Sequence, residues 1–257
     1  MNQPPQKKPD RLAPRFYYPD KLGKGSEARL PTDAAHHALR VLRLSIGDPV
    51  TLFNGAGGEY QSRITRMGRG EVWVKTLAYS EPVRETSIEL VLAQGLSSGD
   101  RMDLTLQKSV ELGVGSIQPI RAERSIVRLS AERAARRVEH WRNLVISACE
   151  QCGRNRIPQV AAPATLQEWL GQMTARAASD ELRLLLSPDA QASIRSLPPG
   201  ATRIVLLAGP EGGFSPTEIA AAASRDFIPV RLGPRILRTE TAALAALAAL
   251  QALRGDF

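Results

Sequence analysis

The most informative stretch of the 257-residue chain runs from Leu206 to Glu218 and reads LLAGPEGGFSPTE. An apolar segment typical of a buried strand leads into a loop with three glycines. The loop ends at a strong helix start, where Ser215 can act as N-cap, Pro216 takes the first helical position and Glu218 completes a capping box. This series predicts a ligand site, because open α/β sheets bind ligands at such strand-to-helix connections.

The spacing of the glycines excludes two common nucleotide-binding motifs for this loop. It is neither Gly-x-Gly-x-x-Gly nor a P-loop, because no Gly-Lys-Ser or Gly-Lys-Thr follows. The backbone carries no side chain at Gly209, Gly212 and Gly213, so its N–H and C=O groups can approach a ligand closely. Such groups suit an uncharged ring such as adenine. Taken alone, the loop is explained equally well as a tight connection without a ligand.

A second loop of the same kind runs from Arg231 to Ala242 and reads RLGPRILRTETA. It too follows an apolar strand and ends at a helix start. An arginine at that position, Arg238, is unusual because the positive end of a helix dipole favours anions, and this favours a functional role for it. The helix that follows has an apolar stripe with alanines between its members: Leu244, Leu247, Leu250 and Leu253. A helix so poor in polar residues predicts two buried sides.

Both loops belong to a region in which strands and helices alternate. This alternation predicts an α/β domain with a mostly parallel sheet. The expected strands are 88–93, 116–120, 183–186, 204–208 and 228–232. The expected helices are 100–112, 131–151, 166–175, 216–223 and 239–253.

The first third of the chain has a different rhythm. One helix is expected at 33–42, which Thr32 or Asp33 can cap. The expected strands are 15–18, 49–53, 59–65 and 71–78. Short strands at this spacing predict a small barrel, and residues 80–85 have the composition of a linker. We therefore expect a barrel domain at 1–80, with a solvated tail at 1–11, and an α/β domain at 81–257.

The composition fits a packed protein with an anionic partner. Hydrophobic residues make up 43% and charged residues 23%, which excludes a collagen-like or wholly disordered chain. The chain has 34 Lys and Arg residues against 26 Asp and Glu residues, a net charge of +8. Most of the excess lies in residues 1–80, which hold 13 basic and 7 acidic residues. A nucleic acid is therefore favoured, although an arginine-rich genome produces the same bias.

Other features of the sequence predict a cytoplasmic protein without a metal or a membrane span. The longest apolar run, 242–250, is far shorter than the roughly 20 residues that cross a bilayer, and the N-terminus lacks the apolar core of a secretory signal. Cys149 and Cys152 form a C-x-x-C pair, but a zinc site needs about four ligands and the chain has only three histidines. We expect the two cysteines to be small packed side chains.

Several motifs together resemble one enzyme family. GPEGGFSPTE at 209–218 and LGPRILRTETA at 232–242 are similar to motifs of the RsmE family of ribosomal RNA uridine-N3 methyltransferases, within the SPOUT superfamily. The other matching segments are HALRVLRL at 37–44, GDRMD at 99–103, QK at 107–108, ELGV at 111–114, ERS at 123–125 and ACEQCGR at 148–154. The two cysteines depart from the pattern, where small or hydroxyl residues are expected.

The resemblance implies properties that periodicity does not show. The fold would be a trefoil-knotted parallel-sheet domain in which the last helix threads through a loop, preceded by a PUA-like barrel that binds RNA. The pattern alone favours an unknotted doubly wound sheet, because knots are very rare. The resemblance also implies a homodimer that uses S-adenosylmethionine (SAM) to methylate N3 of a uridine in 16S rRNA or in the small ribosomal subunit.

The same resemblance suggests site residues. Arg238 is expected to favour the uridine anion, and Glu150 is a candidate base with Glu111 as its rival. The expected cofactor contacts are Ser187, Pro188, Ala208, Gly209, Glu211, Gly212, Leu232, Gly233, Ile236, Leu237, Arg238, Thr241 and Ala242. The expected RNA contacts are Arg15, Arg40, Arg43, Arg124 and Arg154. No metal site is expected.

Three alternatives stay open at this point. The first is a non-catalytic RNA-binding module, against which the intact glycine loops argue. The second is a dinucleotide oxidoreductase, against which the missing Gly-x-Gly-x-x-Gly argues. The third is a SPOUT enzyme with another target, such as another RNA or a ribose 2′-hydroxyl, and the sequence does not separate it from a uridine-N3 enzyme.

Overall fold

The computed structural model describes residues 13–127 and 130–257 of the chain. It contains two compact units. The first consists of the chain up to Arg84 together with Gly153–Arg156, and the second of Glu85–Cys152 and Ile157–Phe257. The return of Gly153–Arg156 to the first unit is a long-range feature that no local pattern indicated. The domain limits expected at 80 and 81 stay a prediction, and the tail at 1–11 lies outside the described residues.

The first unit is built on a five-stranded sheet in the order β1-β3-β4-β5-β2. Its strands are β1 (Arg15–Tyr17), β2 (Glu27–Arg29), β3 (Pro49–Phe53), β4 (Glu59–Gly68) and β5 (Glu71–Ser80). β1 and β3 are parallel, and the other neighbours are antiparallel. The sequence predicted four of these strands. It missed β2, because three residues with a single buried side chain, Ala28, carry no recognisable alternation.

The helix expected at 33–42 is present in two pieces. α1 (Thr32–His36) continues into a π-helical turn at His37–Val41, where the Leu42 N–H donates to the His37 carbonyl. The expected capping by Thr32 or Asp33 is wrong. Pro31 is the N-cap, and within the described chain no side chain caps this helix, because helical geometry begins at Thr32 itself. Ala35 and Ala38 anchor the two pieces in the core of the unit.

The second unit contains a seven-stranded sheet whose paired strands are all parallel. The sequence predicted a mostly parallel sheet and five of its strands, but not the two-residue strands at 159–160 and 164–165. Its strands are β6 (Glu89–Gly95), β7 (Ser116–Arg121), β8 (Gln159–Val160), β9 (Ala164–Thr165), β10 (Glu181–Leu186), β11 (Arg203–Ala208) and β12 (Ile228–Val230). The main order is β12-β10-β11-β6-β7-β8, with β9 also paired to β7. The central strands are buried along almost their whole length, which is typical of a parallel sheet covered on both faces.

In the described part of this unit, five α-helices and a short 3₁₀ helix at Ile194–Ser196 accompany the sheet. The α-helices are α2 (Gly99–Glu111), α3 (Ala131–Cys152), α4 (Leu166–Gly171), α5 (Pro216–Ala223) and α6 (Thr239–Arg254). The predicted capping box of α5 is confirmed, since the Glu218 N–H donates to Ser215 Oγ at 3.2 Å and the Ser215 N–H donates to the Glu218 carboxylate at 2.9 Å. α4 is shorter than the expected 166–175, because the chain turns once Trp169 and Leu170 are buried.

The stripe expected along α6 is only partly present. Leu247 and Leu250 are fully buried, Leu244 is half-buried and Leu253 is 50% exposed. A stripe at every third residue drifts around a helix with 3.6 residues per turn, so its two ends leave the buried face. On α3, Cys149 is buried and Cys152 half-buried, and the two form no disulfide within the described chain. Across the described residues, no helix is long and apolar enough to cross a bilayer, and no group of three potential metal ligands occurs.

Candidate active site

A cavity of about 420 Å³ lies at the carboxyl ends of β10, β11 and β12. Its walls come from the end of β10, from the loop after β11 and from the loop between β12 and α6. Ligands bind at this edge of parallel sheets, and cavities of roughly 300–1,000 Å³ hold small molecules. The two loops singled out in the sequence thus face each other across one cavity.

Most of the cofactor contacts expected from the sequence line this cavity. Those that do are Ser187, Pro188, Ala208, Gly209, Glu211, Leu232, Gly233, Ile236, Leu237, Arg238 and Ala242. Gly212 and Thr241 are not among the described residues that line it, and Thr241 instead faces a second groove. Arg101, Arg235 and Glu240 line the cavity without having been expected there.

Gly212 has a different neighbour, the loop that contains Arg124. A Cβ atom at Gly212 would lie 2.9 Å from the Arg124 carbonyl oxygen and 3.0 Å from the Arg124 Cβ. Only glycine allows this approach, so the residue packs the two loops together. Its expected cofactor contact stays a prediction. The sequence did not predict Arg101 as a residue of the cavity, because Arg101 lies on α2, more than 100 residues before the glycine loops.

Arg101 joins the first loop to the start of α6. Its Nη1 donates to Glu211 Oε1 at 2.9 Å, and its Nε lies 4.0 Å from Glu240 Oε1. The Ser98 N–H also donates to Glu211, at 3.2 Å. Desolvation acts to raise the pKa of Glu211, but hydrogen bonds from the backbone N–H groups of Glu211 and Ser98 and from Arg101 bring it below its usual value. Glu211 is therefore ionised at neutral pH and already holds its partners.

The cavity has a strongly cationic lining. Four arginines line it: Arg101, Arg231, Arg235 and Arg238. Arg238 is the N-cap residue of α6 and is exposed, and within the described chain it makes no side-chain cap. A guanidinium has no acceptor for the free N–H groups of a helix start, so the side chain of Arg238 serves no capping purpose there. The lining suits a ligand or a reacting group that carries negative charge.

Comparison with known proteins identifies the family. The family described as "RNA methyltransferase domain" matches residues 84–251, and the one described as "RNA methyltransferase PUA domain" matches residues 30–77. Ribosomal RNA small subunit methyltransferase E from Buchnera aphidicola subsp. Schizaphis graminum is 35% identical over 95% of this chain and 97% of its own. The Bacillus subtilis protein of the same name is 32% identical over 87% of this chain and 91% of its own.

The chain belongs to the ribosomal RNA small subunit methyltransferase E family. The resemblance seen in the sequence is thus confirmed, as are the parallel α/β fold and the PUA-like domain. A family member from Neisseria gonorrhoeae, solved bound to S-adenosylmethionine, superimposes with a TM-score of 0.87 at 42% identity and covers 95% of this chain and 99% of its own. A methyltransferase from Legionella pneumophila, solved with SAM, gives 0.90 at 39% identity, with 96% and 100% covered.

The two candidate bases of this chain lie outside the lining of the cavity. Neither Glu150 nor Glu111 is among the described residues that line the cavity. Glu111 ends α2 and pairs with Lys108 at 2.8 Å, while Glu150 lies half-buried in the last turn of α3. Their role as a base stays a prediction.

The expected RNA contacts divide into two groups. Arg40, Arg43 and Arg124 are exposed. Arg15 is not: its Nη1 donates to Glu59 at 2.5 Å and its Nη2 donates to Asn155 Oδ1 at 2.6 Å, and only 12% of its side chain is exposed. The structure gives Arg15 an internal role, in which it holds the returning segment Gly153–Arg156 within the first unit. Arg154 in that segment is itself buried.

Proposed function

We propose that this protein transfers the methyl group of SAM to N3 of a uridine in 16S rRNA. The observation that carries the proposal is a single cavity, of a size suited to a nucleoside cofactor, formed by both glycine loops in a chain of this family. Two relatives at about 40% identity were solved with SAM, which supports the choice of cofactor.

The residues of the cavity fit this cofactor. Leu232, Ile236, Leu237 and Ala242 provide apolar surface for an adenine ring, and the backbone at Gly209 and Gly233 is open to hydrogen bonding. One buried oxygen in the lining, Glu240 Oε2, accepts no hydrogen bond from the described residues. Unsatisfied buried polar atoms are uncommon in folded proteins, and a ligand that donates to this one would remove the deficit. When bound, SAM supplies an electrophilic methyl group on a sulfonium centre.

The chain itself must bind the uridine and favour loss of its N3 proton. N3 lies on the pairing edge, so the base must be unpaired or extruded before it can react. The N3–H pKa lies above neutral, and a nearby cation favours the anion that attacks the methyl group. Arg238 lines the cavity with an exposed guanidinium and is our candidate for this role. Glu150, with Glu111 as its rival, remains the proposed base. Correct orientation of the two reactants in the cavity accounts for the remaining rate enhancement.

The proposal extends to RNA binding and assembly. Arg40 and Arg43 in the PUA-like domain, and Arg124 beside the first loop, would contact rRNA phosphates. The family resemblance supports a trefoil knot and a homodimer. A groove of about 780 Å³ supports the second, because Ala245, Ala249 and the half-exposed Leu253 line it along α6. An rRNA substrate supports a cytoplasmic location.

One experiment tests the activity. Purified protein is incubated with SAM and with small ribosomal subunits, or naked 16S rRNA, from a bacterial strain that lacks its own methyltransferase of this family. Nuclease fragments are then mapped by mass. We expect one added methyl group on the base of a single uridine, and no product from Arg238→Ala. Methylation of a ribose, of another base, or of neither RNA would contradict the proposal.

A further inference from the structure

We propose that Glu240 binds the α-ammonium group of the methyl donor and thereby makes the cavity specific for a ligand with an amino-acid end. This inference rests on the proposed function, because it assumes that SAM is the donor. It assigns a binding role to a residue that the sequence did not single out.

Glu240 lies in the first turn of α6 and lines the cavity. The positive end of the helix dipole favours a carboxylate there, so its charge is supported by the fold. Only 13% of its side chain is exposed. A carboxylate withdrawn from water to this extent normally accepts several hydrogen bonds.

The described protein groups leave Glu240 incompletely paired. Oε2 is buried and accepts no hydrogen bond from the described residues. Among the described residues, the cation that pairs with it is Arg101, whose Nε is 4.0 Å from Oε1, beyond hydrogen-bonding distance. Arg101 is held instead by Glu211 at 2.9 Å. The carboxylate of Glu240 thus has room for one more strong donor.

The remaining charges around the cavity indicate the kind of donor. Among the described lining residues, two are carboxylates, Glu211 and Glu240, and Glu211 is already bound by Arg101 and a backbone N–H. The amino-acid end of SAM carries a carboxylate and an ammonium group. The other three arginines of the lining, Arg231, Arg235 and Arg238, can bind the first of these groups, and Glu240 is the carboxylate left for the second. Charge-assisted hydrogen bonds of this type are among the stronger ones in proteins.

Three ligands that differ in charge distinguish binding of the ammonium group by Glu240 from other roles of this residue in the cavity. SAM carries the ammonium and the sulfonium, S-adenosylhomocysteine carries the ammonium but a neutral sulfur, and 5′-methylthioadenosine carries neither charge. Their affinities are measured by calorimetry, with displacement of S-adenosylhomocysteine where binding is weak, for the full-length wild type and for Glu240→Gln. Glu132→Gln, which removes an exposed carboxylate on α3, is the matched control.

We expect Glu240→Gln to weaken SAM and S-adenosylhomocysteine alike, by about 10- to 100-fold, because the amide carries no negative charge to pair with the ammonium group. Binding of 5′-methylthioadenosine should not change, and Glu132→Gln should behave as wild type. If Glu240→Gln does not fold, Glu240→Asp keeps the charge but withdraws it by one methylene. It should then weaken the first two ligands by less than about tenfold and spare the third.

Several outcomes would overturn the inference. Equal weakening of all three ligands would show that Glu240 shapes the cavity, and weakening of SAM alone would show pairing with the sulfonium. No change for any ligand would leave Glu240 without a binding role. A wild type that binds none of the three would instead refute the proposed cofactor, which is a separate result.

Discussion

Thr239 Oγ1 donates a 2.5 Å hydrogen bond to the carbonyl of Gly209, which ties the start of α6 directly to the first glycine loop. Gln94 Nε2, at the end of β6, donates to the same hydroxyl at 3.1 Å. The two loops that form the cavity are therefore held by one buried hydroxyl that both donates and accepts. Because this contact is made without a ligand, it favours a cavity whose two loops are already joined when the ligand binds.

Removing this hydroxyl should loosen the cavity. Thr239→Val keeps the shape of the side chain but removes the donor to the Gly209 carbonyl and leaves Gln94 Nε2 with its hydrogen bond to the Gly95 carbonyl alone. We expect a loss of about 1–3 kcal/mol in the free energy of unfolding and weaker SAM binding. Chemical denaturation and calorimetry would measure the two effects. Thr217→Val on the exposed side of α5 is the control, and equal behaviour of the two variants would contradict the assigned role.

Gly212 should affect stability as well as binding. In Gly212→Ala the new Cβ would lie 2.9 Å from the Arg124 carbonyl oxygen, so one of the two loops must move. We expect destabilisation of about 1–3 kcal/mol together with reduced SAM affinity, because the same loop lines the cavity. Gly171→Ala is the control, since a Cβ there meets no atom within 4 Å. A Gly212→Ala variant with normal stability and weak SAM binding would show that Gly212 acts through a direct ligand contact and not through loop packing.

The first glycine loop shows which features of the site could be predicted from the sequence alone. The capping box of Ser215 and Glu218 and the strand before it were predictable, because each depends on neighbours a few residues away. The contacts of Gly212 with Arg124 and of Arg101 with Glu211 join segments that are about 90 and 110 residues apart. No local sequence pattern indicates such contacts. The sequence therefore predicts a role for Gly212 but not its contact with Arg124.

The same limit applies to charged residues. A basic excess in residues 1–80 favoured RNA contacts there, and Arg40 and Arg15 were equally good candidates from the sequence. Burial distinguishes them, because Glu59 and Asn155 surround Arg15 while Arg40 is exposed. Long-range packing, which the sequence does not display, therefore decides which arginines are available to a phosphate.

Arg40→Ala should weaken RNA binding without loss of stability. Each phosphate contact contributes about 0.7–0.9 to the slope of log K against log salt, so the slope should become shallower by about that amount. Fluorescence anisotropy with 16S rRNA fragments over a range of salt concentrations would measure it. Arg15→Ala should leave the salt slope unchanged but lower the melting temperature, because Glu59 loses a partner. A stable Arg15→Ala protein with a reduced salt slope would return Arg15 to the RNA surface.

The network around Glu59 should make stability depend on pH. Desolvation acts to raise the pKa of Glu59, but hydrogen bonds from Arg84, Arg15 and Asn155 and the charge of Arg15 bring it below the ordinary 4.5. A lowered folded-state pKa means that the ionised group stabilises the fold above about pH 4.5 and that this contribution is lost as the pH falls through the folded-state value.

Glu59→Gln should therefore lower the melting temperature most at neutral pH. The difference from wild type should shrink as the pH falls below about 4.5 towards 3, because the wild-type carboxylate becomes neutral as well. Glu27→Gln, an exposed carboxylate on β2, is the control. A difference that stays constant from pH 7 to pH 3 would show that Glu59 acts through its shape and not through its charge.

An aspartate at either of two leucines of α6 should remove the proposed dimer, but only one of the two changes should also remove the fold. Leu247 is fully buried within its own unit, so Leu247→Asp would bury an unpaired charge at a cost of several kcal/mol and should prevent folding. Leu253 is 50% exposed and lines the groove beside Ala245 and Ala249. In Leu253→Asp the charge stays in water in the monomer and is buried only where a second subunit covers the groove. Light scattering should then show a folded monomer with a near-normal melting temperature, whereas the wild type is a dimer. A wild-type monomer, or a Leu253→Asp dimer, would show that this groove is not the subunit interface.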